Sequence, residues 1–169
     1  MKKLESYLLE GSKFVVFLMV GMPGSGKSTW VKENYPKLPV ISRDIIRAKL
    51  GYTKDEEDKA KLTTIQEKRV TEEQYEMIAK CVKKRQSFVI DDTNLSIWRK
   101  HLIKTLKDYG ATIVGINMDT PLEVCIERRH GQIPRFIMET IYSRMIPIRK
   151  EEVDDLYIIK YEEKEDSKN

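Results

Sequence analysis

Eight consecutive residues restrict this chain more than any other feature does. Gly21-Met-Pro-Gly-Ser-Gly-Lys-Ser28 satisfies G-x-x-x-x-G-K-[ST] at every specified position. Such a loop works only between a strand and a helix, and the sequence supplies both. The apolar run Phe14 to Val20 reads as a buried strand, and a helix is expected to run from within the loop to about Asn34. Gly21, Gly24 and Gly26 let the backbone approach an anion closely, and the N–H groups of Ser25 to Thr29 then converge on it at the positive end of the helix. Lys27 is placed for the β- and γ-phosphates of a nucleoside triphosphate, ATP or another, and the Ser28 hydroxyl for magnesium. The alternative, a glycine turn that merely caps a helix, is disfavoured by the strand before the motif and the helix after it.

The rest of the chain alternates short apolar runs with helical periods, which predicts an α/β domain with a mainly parallel sheet flanked by helices. Strands are expected at 14–20, 40–41, 88–92, 112–117 and 156–161, and helices at about 44–50, 63–85, 96–109, 121–129 and 135–145. Thr120-Pro-Leu-Glu123 reads as a capping box with proline at the first helical position. The run Lys54 to Lys61 is a solvated connection, and 162–169 a charged tail after one domain spanning 1–161. With 169 residues, 40% hydrophobic and 34% charged, the composition is that of an ordinary globular protein; a net charge of +4 admits a polyanionic partner without requiring one. Cys81 and Cys125 read as reduced, inert thiols of a cytoplasmic protein. Lys2 and Lys3 before an apolar run imitate a signal peptide, but Glu5 and Glu10 interrupt it, and seven apolar residues cannot cross a bilayer.

A phosphate-binding loop does not say what is done with the nucleotide. No Asn-Lys-x-Asp sequence is present to read guanine, and the size suits a small kinase. A transferase needs a carboxylate near the γ-phosphate, and Asp44, just after the second strand, stands where such groups collect. Arg47 lies one turn on, placed to grip an acceptor phosphate; equally, Arg47 could pair with Asp44 on a helix that Ser42 or Asp44 caps.

The segments 21–30, Ser-Arg-Asp-Ile-Ile-Arg (42–47) and Asp-Thr-Asn-Leu (92–95) together resemble the kinase domain of phage-type polynucleotide 5′-kinases. The resemblance implies that Asp44 activates a 5′-hydroxyl, and that Arg47 binds the adjacent phosphate with Arg43 and Asp92 also on the acceptor side. It further implies that Asp92 rather than Asp91 is the functional carboxylate, facing the loop at the end of its strand. The arginine-rich stretch Glu127 to Arg135 resembles the family's lid, shortened by several residues. Arg128 matches its first arginine, Arg129 is the choice for the phosphate contact, and Arg135 stands behind it. The phosphatase motif of bifunctional members is absent, which implies kinase activity only. The expected reaction is thus transfer of a γ-phosphate to the 5′-hydroxyl of DNA or RNA, in the cytoplasm, or the host's if the chain is phage-encoded. Two other readings stay open: a kinase of a sugar, nucleotide sugar or antibiotic, and a nucleotide-switched binding module. Protein partners and oligomeric state are not legible.

Overall fold

The computed structural model describes residues 14–53, 62–94 and 98–162. The expected connection 54–61, the start of the helix expected from 96, where Ser96 is the expected cap, and the tail beyond Glu162 lie outside them. In chain order the elements are β1 (Val15–Val20), α1 (Lys27–Asn34), β2 (Val40–Ile41), α2 (Arg43–Lys49), α3 (Thr64–Lys83), β3 (Phe88–Ile90), α4 (Trp98–Asp108), β4 (Thr112–Asp119), α5 (Leu122–Arg129), α6 (Arg135–Ser143), a 3-10 turn (Lys150–Glu152) and β5 (Asp155–Lys160). The five strands form one sheet in the order β2-β3-β1-β4-β5, and every pairing is parallel. This is the expected α/β architecture, a parallel central sheet flanked by helices.

The central strand explains its own position. All six residues of β1 are buried, so neither face can look at water. Alternate side chains divide between two cores. Val16, Leu18 and Val20 join Ile46, Val70, Ile78, Ile103 and Leu106 from α2, α3 and α4. Val15, Phe17 and Met19 meet Val31 and Tyr35 from α1. A third, smaller cluster pins α5 and α6 to the tip of the phosphate loop, with Met22 against Cys125 and Met138. Both cysteines are free and buried.

Because all strands run one way, the segments that follow β1, β2, β3, β4 and β5 emerge along one side of the sheet. β1 lies between β3 and β4, and the helices that follow β1 and β3, α1 and α4, pack on opposite faces of the sheet, so its carboxyl end opens a crevice of the kind ligands occupy in such sheets. Among the described residues no helix is long and apolar enough to cross a membrane.

Two local expectations are corrected. The helix after β4 begins at Leu122 and has no side-chain cap. Thr120 Oγ1 donates instead to the carbonyl of Ser25, at 2.9 Å, so the hydroxyl expected to cap the helix ties it to the phosphate loop. Ser42, at the N-cap of α2, likewise makes no capping hydrogen bond. A carboxylate from β3's end does that work, as described below. At α3 a reciprocal capping box is formed by Thr63 and Gln66.

Candidate active site

The loop from Gly21 to Ser28 occupies the crevice at the end of β1. Gly24 and Gly26 take φ of 80° and 93°, which a side chain would strain. At Gly24 space is short as well, since a Cβ would come within 2.6 Å of the Cys125 carbonyl oxygen. Lys27 is buried and donates from Nζ to the carbonyls of Gly21 (3.1 Å) and Met22 (2.8 Å). Burial pushes its pKa from 10.5 down to about 8; Asp91 is the strongest charge opposing that fall, and Arg129 adds to it. Ser28 and Thr29 are exposed at the start of α1 and line the adjoining cleft with Gly24, Ser25 and Gly26. Ser25 differs: its Oγ is buried without a hydrogen-bond partner.

That cleft has a volume of about 1140 Å³ and is bounded across from the loop by Arg128, Arg129 and Tyr161. Arg128 donates to the Gly24 carbonyl at 3.3 Å and lies 5.3 Å from the centre of the Tyr161 ring. A flat cation and a ring at the open end suit a nucleobase, while the loop suits its phosphates. Arg135 does not line this cleft. It pairs with Glu123 and Glu139 on the outer side of α5 and α6.

At the end of β2 the Arg-Asp-x-x-Arg helix is held in an ionic network. Arg47 reaches Asp44 at 2.7 Å and Glu67 of α3 at 2.8 Å. Arg43 reaches the same Glu67 at 2.6 Å and Thr71 at 3.0 Å. The bond from Arg47 holds the Glu67 carboxyl below its usual range, partly offset by burial, and Arg43 pulls the same way. The Asp44 side chain is about half exposed, and its charge acts on both Lys27 and Asp92. Of the two residue-level readings of Arg47, the pairing with Asp44 is the one seen here, and Glu67 shares the guanidinium.

The residues after β3 join the two arms. Asp92 Oδ1 accepts from the backbone N–H of Arg43 at 2.9 Å, and Oδ2 accepts from Gln74. The Thr93 carbonyl takes the N–H of Gly21, and Asn94, at φ 49°, donates to the Met19 carbonyl at 2.8 Å. Asp92 thus caps α2 from outside while its neighbours hold the start of the phosphate loop. Burial raises the Asp92 carboxyl's pKa, against those two donors. Of this pair, Asp91 is the carboxylate whose charge acts on Lys27. It is buried, and its Oδ1 has no partner.

Magnesium fits this donor set. Among the described residues no three His, Cys, Asp or Glu side chains gather to cage a metal. A hydroxyl at Ser28 and one orphaned carboxylate oxygen at Asp91 are what a magnesium ion held mainly by phosphates and water requires.

Glu67, Gln74 and Arg99 escaped the sequence reading. Each lies outside the quoted motifs, and only α3 and α4 packing brings them in. Arg99 is 3% exposed, bonding the Asn94 and Ile146 carbonyls at 3.0 and 2.7 Å and pairing with Glu152 at 3.2 Å.

The fold is shared with solved kinases and with an RNA repair assembly. A chain of the Pnkp1/Rnl/Hen1 RNA repair complex aligns with a TM-score of 0.66 at 22% identity, over 81% of this chain and 46% of that one. In another structure of the Pnkp1/Rnl/Hen1 complex the match has a TM-score of 0.59 at 25% identity, over 69% and 39%. This chain therefore spans less than half the length of those partners in comparison. A sugar kinase from Janibacter sp. aligns with a TM-score of 0.56 at 16% identity, over 87% and 85%. A family model described as an AAA domain, AAA_33, matches residues 16–134, from the second residue of β1 to the proline before α6. With the phosphate loop, the strands β2, β3 and β4, nearly all of β1, and Arg43, Arg47, Arg128 and Arg129 inside that span, the chain belongs to the AAA_33 family of AAA domains and has a kinase-like P-loop fold.

Proposed function

We propose that this protein transfers the γ-phosphate of ATP, or of another nucleoside triphosphate, to the 5′-hydroxyl of a polynucleotide. The observation that carries the reading is the joint placement of two arms. Lys27 and the Arg43–Asp44–Arg47 helix face each other across the Asp92–Asn94 turn, and Asp44 is close enough for its charge to act on Lys27. The likeness to the Pnkp1/Rnl/Hen1 repair complex supports the polynucleotide part of the reading.

In this mechanism the triphosphate displaces Lys27 from the Gly21 and Met22 carbonyls and takes its ammonium. Ser28 and Asp91 would hold a magnesium ion, which when bound would supply charge neutralisation at the β- and γ-phosphates. Asp44 accepts the proton of the 5′-hydroxyl as that oxygen attacks the γ-phosphorus. The bond to the β–γ bridging oxygen breaks, and the nucleoside diphosphate leaves with that electron pair. Lys27 and Arg129 stabilise the charge that builds on the transferring group and the leaving oxygen. Arg47 orients Asp44 through their ion pair and presents its remaining N–H groups to the phosphate next to the acceptor hydroxyl.

A second reading has one observation in its favour. Arg47 is already paired with both Asp44 and Glu67, as it would be in a kinase of a neutral small molecule. Labelled-phosphate transfer from ATP to a 5′-hydroxyl oligonucleotide, a nucleoside 3′-phosphate, a nucleoside and simple sugars separates the two. The polynucleotide reading expects the nucleoside 3′-phosphate to exceed the plain nucleoside by about one to two decades in kcat/KM, a preference that Arg47→Ala erases. Equal use of both, or a sugar preferred to either, sinks it.

A further inference from the structure

We propose that the furrow between α3 and α4 carries the acceptor strand away from the transfer site, with Trp98 and Tyr75 as its first base-stacking surfaces. The proposal rests on the polynucleotide reading above and extends it to the bases beyond the first phosphate.

A cavity of about 790 Å³ opens on the far side of Asp92 from the phosphate loop, bounded by α3, α4 and the end of α6. Arg43, Asp92 and Thr93 form its inner end, and Tyr75, Trp98 and Arg144 line it further out. A second cavity of about 850 Å³ shares Tyr75, Ile78, Trp98 and Leu102 with the first and ends beside Arg85 and Tyr109. The two form one continuous furrow. Its direction follows from the topology: α3 leads into β3 and α4 leads from β3 into β4, so both helices run from the carboxyl side of the sheet to the opposite side. The helical rise from Trp98 to Tyr109 is roughly 16 Å. Stacked nucleotides about 3.4 Å apart would fit roughly four along that length.

The chemistry of the walls selects the occupant. Trp98, Tyr109 and Tyr75 are 76%, 63% and 60% exposed, three large rings along one groove rather than scattered singly. The residues lining the outer cavity include Lys83, Arg85 and His101 and not one carboxylate. Exposed rings with cations and no acid fit a single-stranded polyanion, whose bases stack while its phosphates follow the charges. A second copy of this chain docking the same furrow would set cation against cation. The inner end adjoins Arg43, one residue from Asp44, so a strand seated here has its terminus near the candidate base.

The test compares kcat/KM for a nucleoside 3′-phosphate, a single-stranded tetranucleotide and a single-stranded octanucleotide, all with free 5′-hydroxyls. Wild type, Trp98→Ala, Tyr75→Ala and Trp98→Phe are measured, each with a thermal melt to establish folding. Wild type is expected to gain about tenfold from the nucleoside 3′-phosphate to the tetranucleotide. Trp98→Ala and Tyr75→Ala should each remove most of that gain, and Trp98→Phe should keep it. Anisotropy of a labelled octanucleotide should report the same order of affinities and weaken as salt rises. Losses equal for all three acceptors, or no gain with length while the nucleoside 3′-phosphate is phosphorylated, overturn the furrow and leave the kinase reading intact. Oligonucleotide binding that the two alanine variants weaken, without phosphate transfer to any acceptor, overturns the kinase reading and leaves the furrow. A concentration-dependent dimer that shields the Trp98 fluorescence from quencher overturns the furrow directly.

Discussion

A lysine ammonium folded onto its own loop is poorly solvated, and at Lys27 this becomes measurable. The unfolded chain keeps that proton to a pKa of 10.5 and the folded one only to about 8. Between those values the unfolded state binds more protons, so this side chain's contribution to stability improves as pH rises through the window, and below about pH 8 its buried charge weighs fully against folding. Phosphates reverse the balance by giving the ammonium a partner. Nucleotide binding near pH 8.5 should therefore take up a fraction of a proton, seen as a buffer-dependent enthalpy in titration calorimetry and lost in Lys27→Met. An enthalpy independent of buffer would refute the ammonium–phosphate contact. The adjacent aspartates divide in a similar way. Asp91→Asn should lower the transfer rate by about 10²-fold or more and raise the magnesium requirement if, as proposed, this carboxylate would help to hold the ion. Asp92→Ala should instead cost about 1–2 kcal/mol through loss of the α2 cap, read by urea unfolding, with a weaker grip on acceptor. Should Asp92→Ala and Asp91→Asn exchange these effects, the roles given to the two carboxylates are wrong.

Between elements, the strongest joint is one that no motif announces. Arg99 on α4 is buried against Glu152 and the carbonyls of Asn94, Ile146 and Pro147, so it ties the turn carrying Asp92 to the segment that follows α6. Arg99→Met should destabilise by about 3–5 kcal/mol, because it strands a carboxylate that is largely buried, and adding Glu152→Leu should recover part of the loss. A cost below about 1 kcal/mol in chemical unfolding would show that the joint is slack. Gly24→Ala belongs to the same scale: positive φ and a carbonyl at 2.6 Å from the new Cβ force loop and α5 apart, so nucleotide affinity should fall more than fold stability in paired calorimetric and unfolding measurements. The loop itself was legible, since its chemistry is local and contiguous: strand, glycines, lysine and helix start occupy one segment. The Thr120 hydroxyl was misread because a capping pattern competes with a carbonyl that only the folded chain brings near. Glu67 was invisible for a related reason. One carboxylate in a helix full of charges acquires meaning only when α3 lies across α2.

At the scale of the whole molecule, the apolar runs and helical periods were enough for the α/β class and for most element positions. The order β2-β3-β1-β4-β5 was not legible, because periodicity says that a strand is buried and not what lies beside it. That order governs how the chain must assemble. β1 does not pair with β2, the strand that follows it in sequence; its partners are β3 and β4, with Val16 opposite Phe88 and Val15 opposite Thr112. Six wholly apolar residues therefore wait, unpaired, until Phe88 to Ile90 have been made. During synthesis, at roughly 5–20 residues per second, that interval lasts several seconds, with an adhesive segment outside the ribosome. Pairing across such separations also places refolding toward the slower, millisecond-to-second end of the range. Chaperone demand in a cell would then fall on Val15–Val20, a strand that in the finished protein is wholly buried.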